Sequence, residues 1–579
     1  MRSSLIVLLI IGLVASPVAL RALDFSANGY LRSRVVYYHD LDTQQPNAGV
    51  NQGGLGDNDR FGSMLFTQER LRLDPALKIN DNISIHTQLD ILDNVIAGTE
   101  QVKQIDFLSP LVGTVQLPGA GGALGVTGGS AGENKVLNIR RAYVDILTAG
   151  GKFRLGRQGT QWGLGIFLND GSGYNDDFGD TFDAITYLAA IESERHGSVS
   201  LGASANFVFT AQQDPRISGI GQTITGPTRD MRQFAGFALY EIKDFSIGSL
   251  FGLRYRNGKE GETTTTARQV LVDGNGNPIN DSNGNFQLSD PVPAGKDGDT
   301  LLYFGDLYLK YQHGPLKIQG EYVIMAGKIS TGLAIDAIPF NGVPANGRGA
   351  IELAQQSTFR AQMAALEANY TAPFGGEFEL LGGYASGDAQ PLSSRITQYG
   401  FRPDYQLGLL LFHTPLGSSP RITQTNGNGI GGRQLVGAVP VTGNFINNAI
   451  YTGLGFKMPL DLSSAIPHFN FAKAGIKFIT AWAPSNNVDI DFAEITTLAS
   501  LPRVVNNKKW YGVEVDGTFE IKVYDHVHFD LTGAYLLPGS AYDVSVVPFS
   551  PANLAQVNAI PFDKANWVWG MRSNVIIDF

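Results

Sequence analysis

The stretch GGKFRLGRQGTQWGLGIF, Gly150–Phe167, begins as a segment with two unlike faces. Lys152 and Arg154 alternate with Phe153 and Leu155, so one side is charged and the other apolar, the period of a half-buried strand. Arg157 breaks the pattern. It falls on the apolar parity beside Gly156, which predicts either a bulge there or a position beyond the apolar zone.

The same period runs through most of the chain. In RLRLDPALK, Leu71, Leu73 and Leu77 oppose Arg70, Arg72, Asp74 and Lys78. In YGVEVDGTFEIK, Tyr511, Val513, Val515, Phe519 and Ile521 oppose Glu514, Asp516, Glu520 and Lys522. Eighteen such runs start near residues 25, 64, 83, 136, 151, 181, 197, 230, 244, 300, 315, 357, 376, 448, 473, 509, 526 and 567. They exceed the five or six residues usual in soluble strands and reach the roughly 9–11 that a tilted membrane strand needs.

The connections alternate in length. NDN, TAGG, ESERHG, KD, HGP, APFGG and YDH are short, whereas 96–135, 258–299, 387–447 and 542–566 are long, polar and Gly-rich. Only 459–472 is long for the short side. A bilayer admits helices or closed barrels, because an open sheet edge would leave backbone groups unpaired in hydrocarbon. The pattern predicts an all-β, transmembrane antiparallel barrel of about 18 strands, with long extracellular loops and short periplasmic turns. Tyr303, Tyr311, Tyr370, Trp510 and Tyr511 are expected in the interfacial aromatic girdles, and WVWGMRSNVIIDF is expected as the closing strand.

At the N-terminus, Arg2 precedes an apolar run, Leu5–Leu13, and Leu20-Arg21-Ala22 reads as a cleavage site. Residues 1–22 are therefore expected to be a signal peptide and 23–579 a single barrel domain in a Gram-negative-type outer membrane. The net charge of −10 and the absence of Cys argue against nucleic-acid binding and exclude thiolate chemistry. Gly427–Gly432 spells G-x-G-x-x-G without a βαβ setting, Asp273–Phe286 has calcium-loop spacing without the required Gly, and His526 with His528 lack a third metal ligand. No cofactor, metal or catalytic group is expected, and no enzymatic activity.

Inside such a barrel, polar parity places Arg32, Arg34, Arg70, Arg72, Arg141, Asp145, Lys152, Arg154, Arg254 and Arg256 on the lumen wall. The basic residues concentrate on the first five strands, while the sixteenth and seventeenth are acidic. A row of guanidinium groups in a narrow bore attracts anions and grips carboxylates.

IRRAYVDI and GKFRLGRQ, within Ile139–Gln158, resemble a motif of the alginate-export porin family, and GAYLLPGSAYD (Gly533–Asp543) resembles that family's penultimate strand. The resemblance implies an eighteen-stranded porin exporting an anionic exopolysaccharide through an Arg-rich pore. It also implies that Arg141, Asp145 and Arg154 face the lumen. The family can carry a longer occluding loop where VYDH is short here. The expected function is passive export of an acidic or neutral exopolysaccharide. The alternatives are a diffusion porin for small solutes and a structural or adhesive barrel. Partners would be outer-membrane lipids, the polysaccharide or solute, and periplasmic secretion proteins.

Overall fold

The period-two runs become strands in the computed structural model. It describes residues 24–41, 63–96, 137–207, 232–256, 300–329, 357–387, 395–414, 416, 419–424, 433–439, 442–443, 445–485, 504–505, 508–542, 545–546, 560–561 and 567–579. The signal-peptide reading of 1–22, the Asp273–Phe286 turns and the Gly427–Gly432 motif lie outside these residues.

Eighteen antiparallel strands close into one barrel. They are β1 Asp24–His39, β2 Ser63–Asn80, β3 Ile83–Ile96, β4 Leu137–Thr148, β5 Gly151–Gly159, β6 Thr181–Ser193, β7 Gly197–Phe207, β8 Arg232–Ile242 and β9 Phe245–Arg256. β10 Thr300–His313, β11 Leu316–Ile329, β12 Ser357–Thr371, β13 Glu377–Ala385, β14 Ala449–Leu460, β15 Phe469–Trp482, β16 Trp510–Val523, β17 Val527–Pro538 and β18 Val568–Asp578 complete the ring. Each strand pairs with its neighbours in sequence, and β18 pairs with β1 in the register Arg34↔Asn574. A short strand, Arg395–Ile396, adds in parallel to the end of β12.

The parity of the strands sorts side chains as the sequence predicts. Phe251, Leu366, Leu454, Phe378 and Ile185 stand exposed on the outer face, Phe251 at 62%. A closed ring with an apolar exterior satisfies every strand's hydrogen bonds internally, which is the condition for spanning a bilayer. Tyr303, Tyr311, Tyr370 and Trp510 are exposed and belong to this surface. The protein is a β-barrel of the outer-membrane type.

Two local expectations change and an open one is settled. The connection between β14 and β15 is 461–468, because Phe469–Ala472 already belong to β15. Tyr511 is 1% exposed rather than in the girdle. The β15–β16 register slips between Ala481↔Gly512 and Trp482↔Trp510, so Tyr511 is the extra residue of a bulge and turns inward. Arg157 needs no bulge. The β4–β5 register runs unbroken up to it and the β5–β6 register past it, and it forms an outer-face ion pair with Asp183 at 2.9 Å near the end of β5.

The parity assignment predicts an asymmetry. Leu366→Arg, in the middle of β12 on the outer face, is expected to cost about 2–4 kcal/mol of barrel stability. A urea titration of the folded band in unheated gel electrophoresis would check this; an unchanged midpoint would contradict the assignment.

Candidate functional site

The inner face is not uniformly wet. Towards the long-connection end it is apolar on this side too: Leu302, Phe304, Val323, Met325, Phe359 and Met363 are all buried. Two segments fold into the bore and cover them. Loop A is 160–180, between β5 and β6. Loop B is 395–414, within the connection from β13 to β14. Trp162 and Phe167 of loop A meet Phe237 and Phe304 of the wall. Phe401 and Phe412 of loop B meet Tyr451 and Tyr511. A barrel of this strand number is wide enough to leave a channel unless something fills it, and here the loops supply a core.

Loop A is fixed chiefly by charge. Arg32, Arg34, Arg70 and Arg72 point inward, and each is 2% exposed or less. Asp177 lies among them, 3.1 Å from Arg32, 2.6 Å from Arg34 and 3.1 Å from Arg70. Asp90 of β3 takes Arg72 in a bidentate pair at 2.7 and 2.9 Å. The guanidiniums also donate to loop carbonyls: Arg32 to Tyr174, Arg70 to Asp176 and Arg72 to Gly171, at 2.5–2.8 Å. Stripping water from an ion costs several kcal/mol even in real proteins. Each charge-assisted bond returns only about 1.5–3 kcal/mol, so the patch can be dry only because so many form together. Burial alone would raise the Asp177 carboxyl, but Arg34, Arg32 and Arg70 outweigh it and hold the group well below the usual carboxylate range.

A residue that the alternation alone misses completes this patch. β3 and β4 pair Gln88 with Arg141 and Leu89 with Ile139, leaving Arg140 as a bulged residue. Both arginines therefore reach inward. Arg140 donates to the Phe178 carbonyl at 2.7 Å and Arg141 to that of Asp170 at 2.6 Å. The signal was in the sequence: Leu137 and Ile139 have odd parity, whereas Ala142, Val144 and Ile146 have even parity, which requires an insertion between them. Gly171 (φ 68°) and Gly179 (φ 64°) bring the two limbs of loop A together over Arg140. A Cβ on Gly171 would lie 2.7 Å from Gly179 Cα and 2.9 Å from Arg140 Nη2.

Carboxylates also seat the loops by accepting backbone N–H groups. Glu321 of β11 accepts from Leu164 and Gly165 of loop A at 2.5 and 3.1 Å. Glu514 of β16 accepts from Leu410 and Leu411 of loop B at 2.8 and 2.6 Å. Asp404 of loop B accepts from Asp177, Phe178 and Gly179 of loop A at 2.8, 3.1 and 2.6 Å, so the loops hold each other. Arg402 and Asp180 add an ion pair at 2.8 Å. His413 of loop B stays neutral, its pKa pushed down to about 3 by burial and by Arg572.

The other sequence-predicted residues stand apart. Asp145 pairs with Arg154 at 2.7 Å and Lys152 at 3.4 Å towards the short-turn end, with the Arg154 guanidinium 4.1 Å from the Tyr143 ring centroid. Arg254 donates to Gln233 at 2.8 Å on β8 and β9. Arg256 is the last residue of β9, opposite Thr300. Asp177, Asp404 and the infolding of the loop that carries each were not foreseen.

Below the loops a chamber of about 430 Å³ remains. Tyr174, Asn175 and Gln406–Leu409 roof it, and β13–β18 wall it. Lys457–Glu520, Lys477–Glu379 and Lys473–Glu377 pairs each reach over one intervening strand there, at 2.7–2.9 Å.

No family model and no curated protein matches the chain. Among solved structures it is similar to Pseudomonas aeruginosa OccK11 (OpdR), at 8% identity, with 96% of each chain covered and a TM-score of 0.43. It is also similar to an anion-selective porin from Comamonas acidovorans, at 11% identity, with 96% of this chain and 100% of that one covered and a TM-score of 0.34. Wzi of Escherichia coli, a carbohydrate-binding barrel involved in group 1 capsule assembly, is similar at 11% identity, over 94% of this chain and 84% of that one, with a TM-score of 0.36.

The latch makes two predictions. Asp177→Ala removes a counter-ion shared by three buried guanidiniums, a loss of about 3–5 kcal/mol. It should unseat loop A, raising hydrogen exchange at the 164–165 and 177–179 amides while the strands stay protected; unchanged exchange would refute the latch. Burial and the neighbouring Asp404 push the Asp176 carboxyl up to about 6. A carboxyl raised in the seated loop favours seating below its ordinary value near 3.8 and gives up that contribution as pH rises through about 6. Asp176→Asn should therefore flatten the pH dependence of loop A exchange between pH 4 and 6.

Proposed function

We propose that this barrel is a porin: a passive, selective conduit for small solutes, constricted by loops A and B. The observation that carries the reading is the residual chamber of about 430 Å³ beneath two seated loops. That volume suits a small solute. The paired charges along β13–β16 give the bore a polar, fixed surface of the kind that tunes lumen selectivity. No step of the proposed activity makes or breaks a covalent bond.

Export of an exopolysaccharide, the reading implied by the motif resemblance, is the second possibility. It needs both loops to leave the bore, because a polymer cannot thread past Phe167, Phe401 and the Leu409–Phe412 segment while they are buried against the wall. Unseating loop A would also bare the Arg32, Arg34, Arg70 and Arg72 patch to an acidic chain. Periplasmic secretion proteins belong to this second reading; lipids contact the outer face under either.

Single-channel recording in planar bilayers tests the first reading. The wild-type protein should give small discrete conductance steps, and Asp177→Ala combined with Asp404→Ala should enlarge them at least severalfold. A folded barrel that is silent in both forms would remove the porin reading.

A further inference from the structure

The arginine patch dominates the inner face by number, and an anion-attracting bore is the obvious expectation from it. The open space lies elsewhere. The chamber is lined by Glu377, Glu379, Asp516, Glu520 and Asp530 against only Lys457, Lys477 and Arg572. Lys473, just outside the lining, neutralises Glu377, and Glu514 and Asp516, buried side by side, count as one charge because two carboxyls sharing a site hold a proton between them. The excess is therefore acidic on either count. Neither Asp516 nor Asp530 makes an ion pair among the described residues. Asp530 accepts a hydrogen bond from the Asn574 amide at 2.5 Å. Asp516 is 3% exposed, lines the chamber, and its Oδ1 has no hydrogen-bond partner. A buried acceptor without a donor is costly, and the proton that Asp516 shares with Glu514 relieves it, which leaves Asp530 as the lining carboxylate without a counter-ion.

A second opening, of about 770 Å³, lies at the short turns of β6–β11. It carries Glu192, Glu194, Glu241 and Asp244 against Lys243 and Lys310. Both described spaces thus share one sign, while loop A covers the arginines of opposite sign.

We infer that with the loops seated this conduit prefers cations, and that its solutes carry ammonium or guanidinium groups rather than carboxylates. Asp530 and the Glu377, Glu379 and Glu520 row set the sign of selectivity, and the arginine patch contributes only when loop A leaves. The inference rests on the porin reading.

The test is the reversal potential across a KCl gradient in planar bilayers. Wild type should reverse towards the potassium potential. Asp530→Asn should shift the reversal potential towards zero, and Asp177→Ala should shift it towards the chloride potential. Should the Asp530 variant fail to fold, Lys457→Gln with Lys477→Gln should move the potential the other way, to stronger cation preference. A conducting wild type that reverses on the chloride side, or charge variants that leave the potential unmoved, would overturn this inference and leave the porin reading standing. A silent wild type would overturn both.

Discussion

The carboxylate of Asp177 sits between guanidiniums from two adjacent strands, Arg32 and Arg34 on β1 and Arg70 on β2. The architecture of the bore follows from that contact. Without it, five arginines on a concave wall would demand water, and the wall would be open. With it, a loop descends into the barrel and becomes the surface that solutes meet. The interaction is local, but its consequence is topological: an eighteen-stranded ring, wide enough for an aqueous channel, has a packed interior towards its long-connection end.

The same chemical device recurs at each place where a loop meets a wall or another loop. Glu321, Glu514 and Asp404 each cap successive backbone N–H groups that would otherwise be buried without partners. A loop can enter a low-dielectric interior only if its amides are satisfied, and acidic side chains do this with short, strong bonds. The inward glutamates thus hold loop backbone in place instead of facing solvent. The apolar halves of loops A and B, around Phe167 and Leu409–Leu411, then bury against inward Phe304 and Met363. Charge brings the loops in, and hydrophobic burial fills the space around them.

Much of the scaffold was legible from the chain itself. Alternation has a period of two and a sharp physical meaning in a barrel, so strand positions could be read directly. Where parity slips, at Arg140 and Tyr511, the bulges hide unless both flanks of the strand are compared. The in-folded loops were the larger omission. Their length and glycine content read as solvent-facing connections, yet LGLLLF at Leu407–Phe412 and WGLGIFL at Trp162–Leu168 are apolar runs that water would not tolerate. The acidic stretch NDDFGD, Asn175–Asp180, likewise had its basic counterpart in view on β1 and β2. What no single-chain periodicity provides is which loop meets which wall, because that pairing joins residues more than a hundred positions apart.

The seating of loop A against the barrel wall is the claim from which the rest descends, and the chain's lack of cysteine makes it directly testable. The Asn574 side-chain amide donates to Asn175 Oδ1 at 3.1 Å across the gap between β18 and the loop. Asn175→Cys with Asn574→Cys, treated in folded barrels with a short bis-thiol-reactive linker, should cross-link efficiently within each molecule and suppress any large conductance steps. Two cysteines that label freely and independently, with no cross-link in the folded protein, would mean that loop A does not lie on the arginine patch.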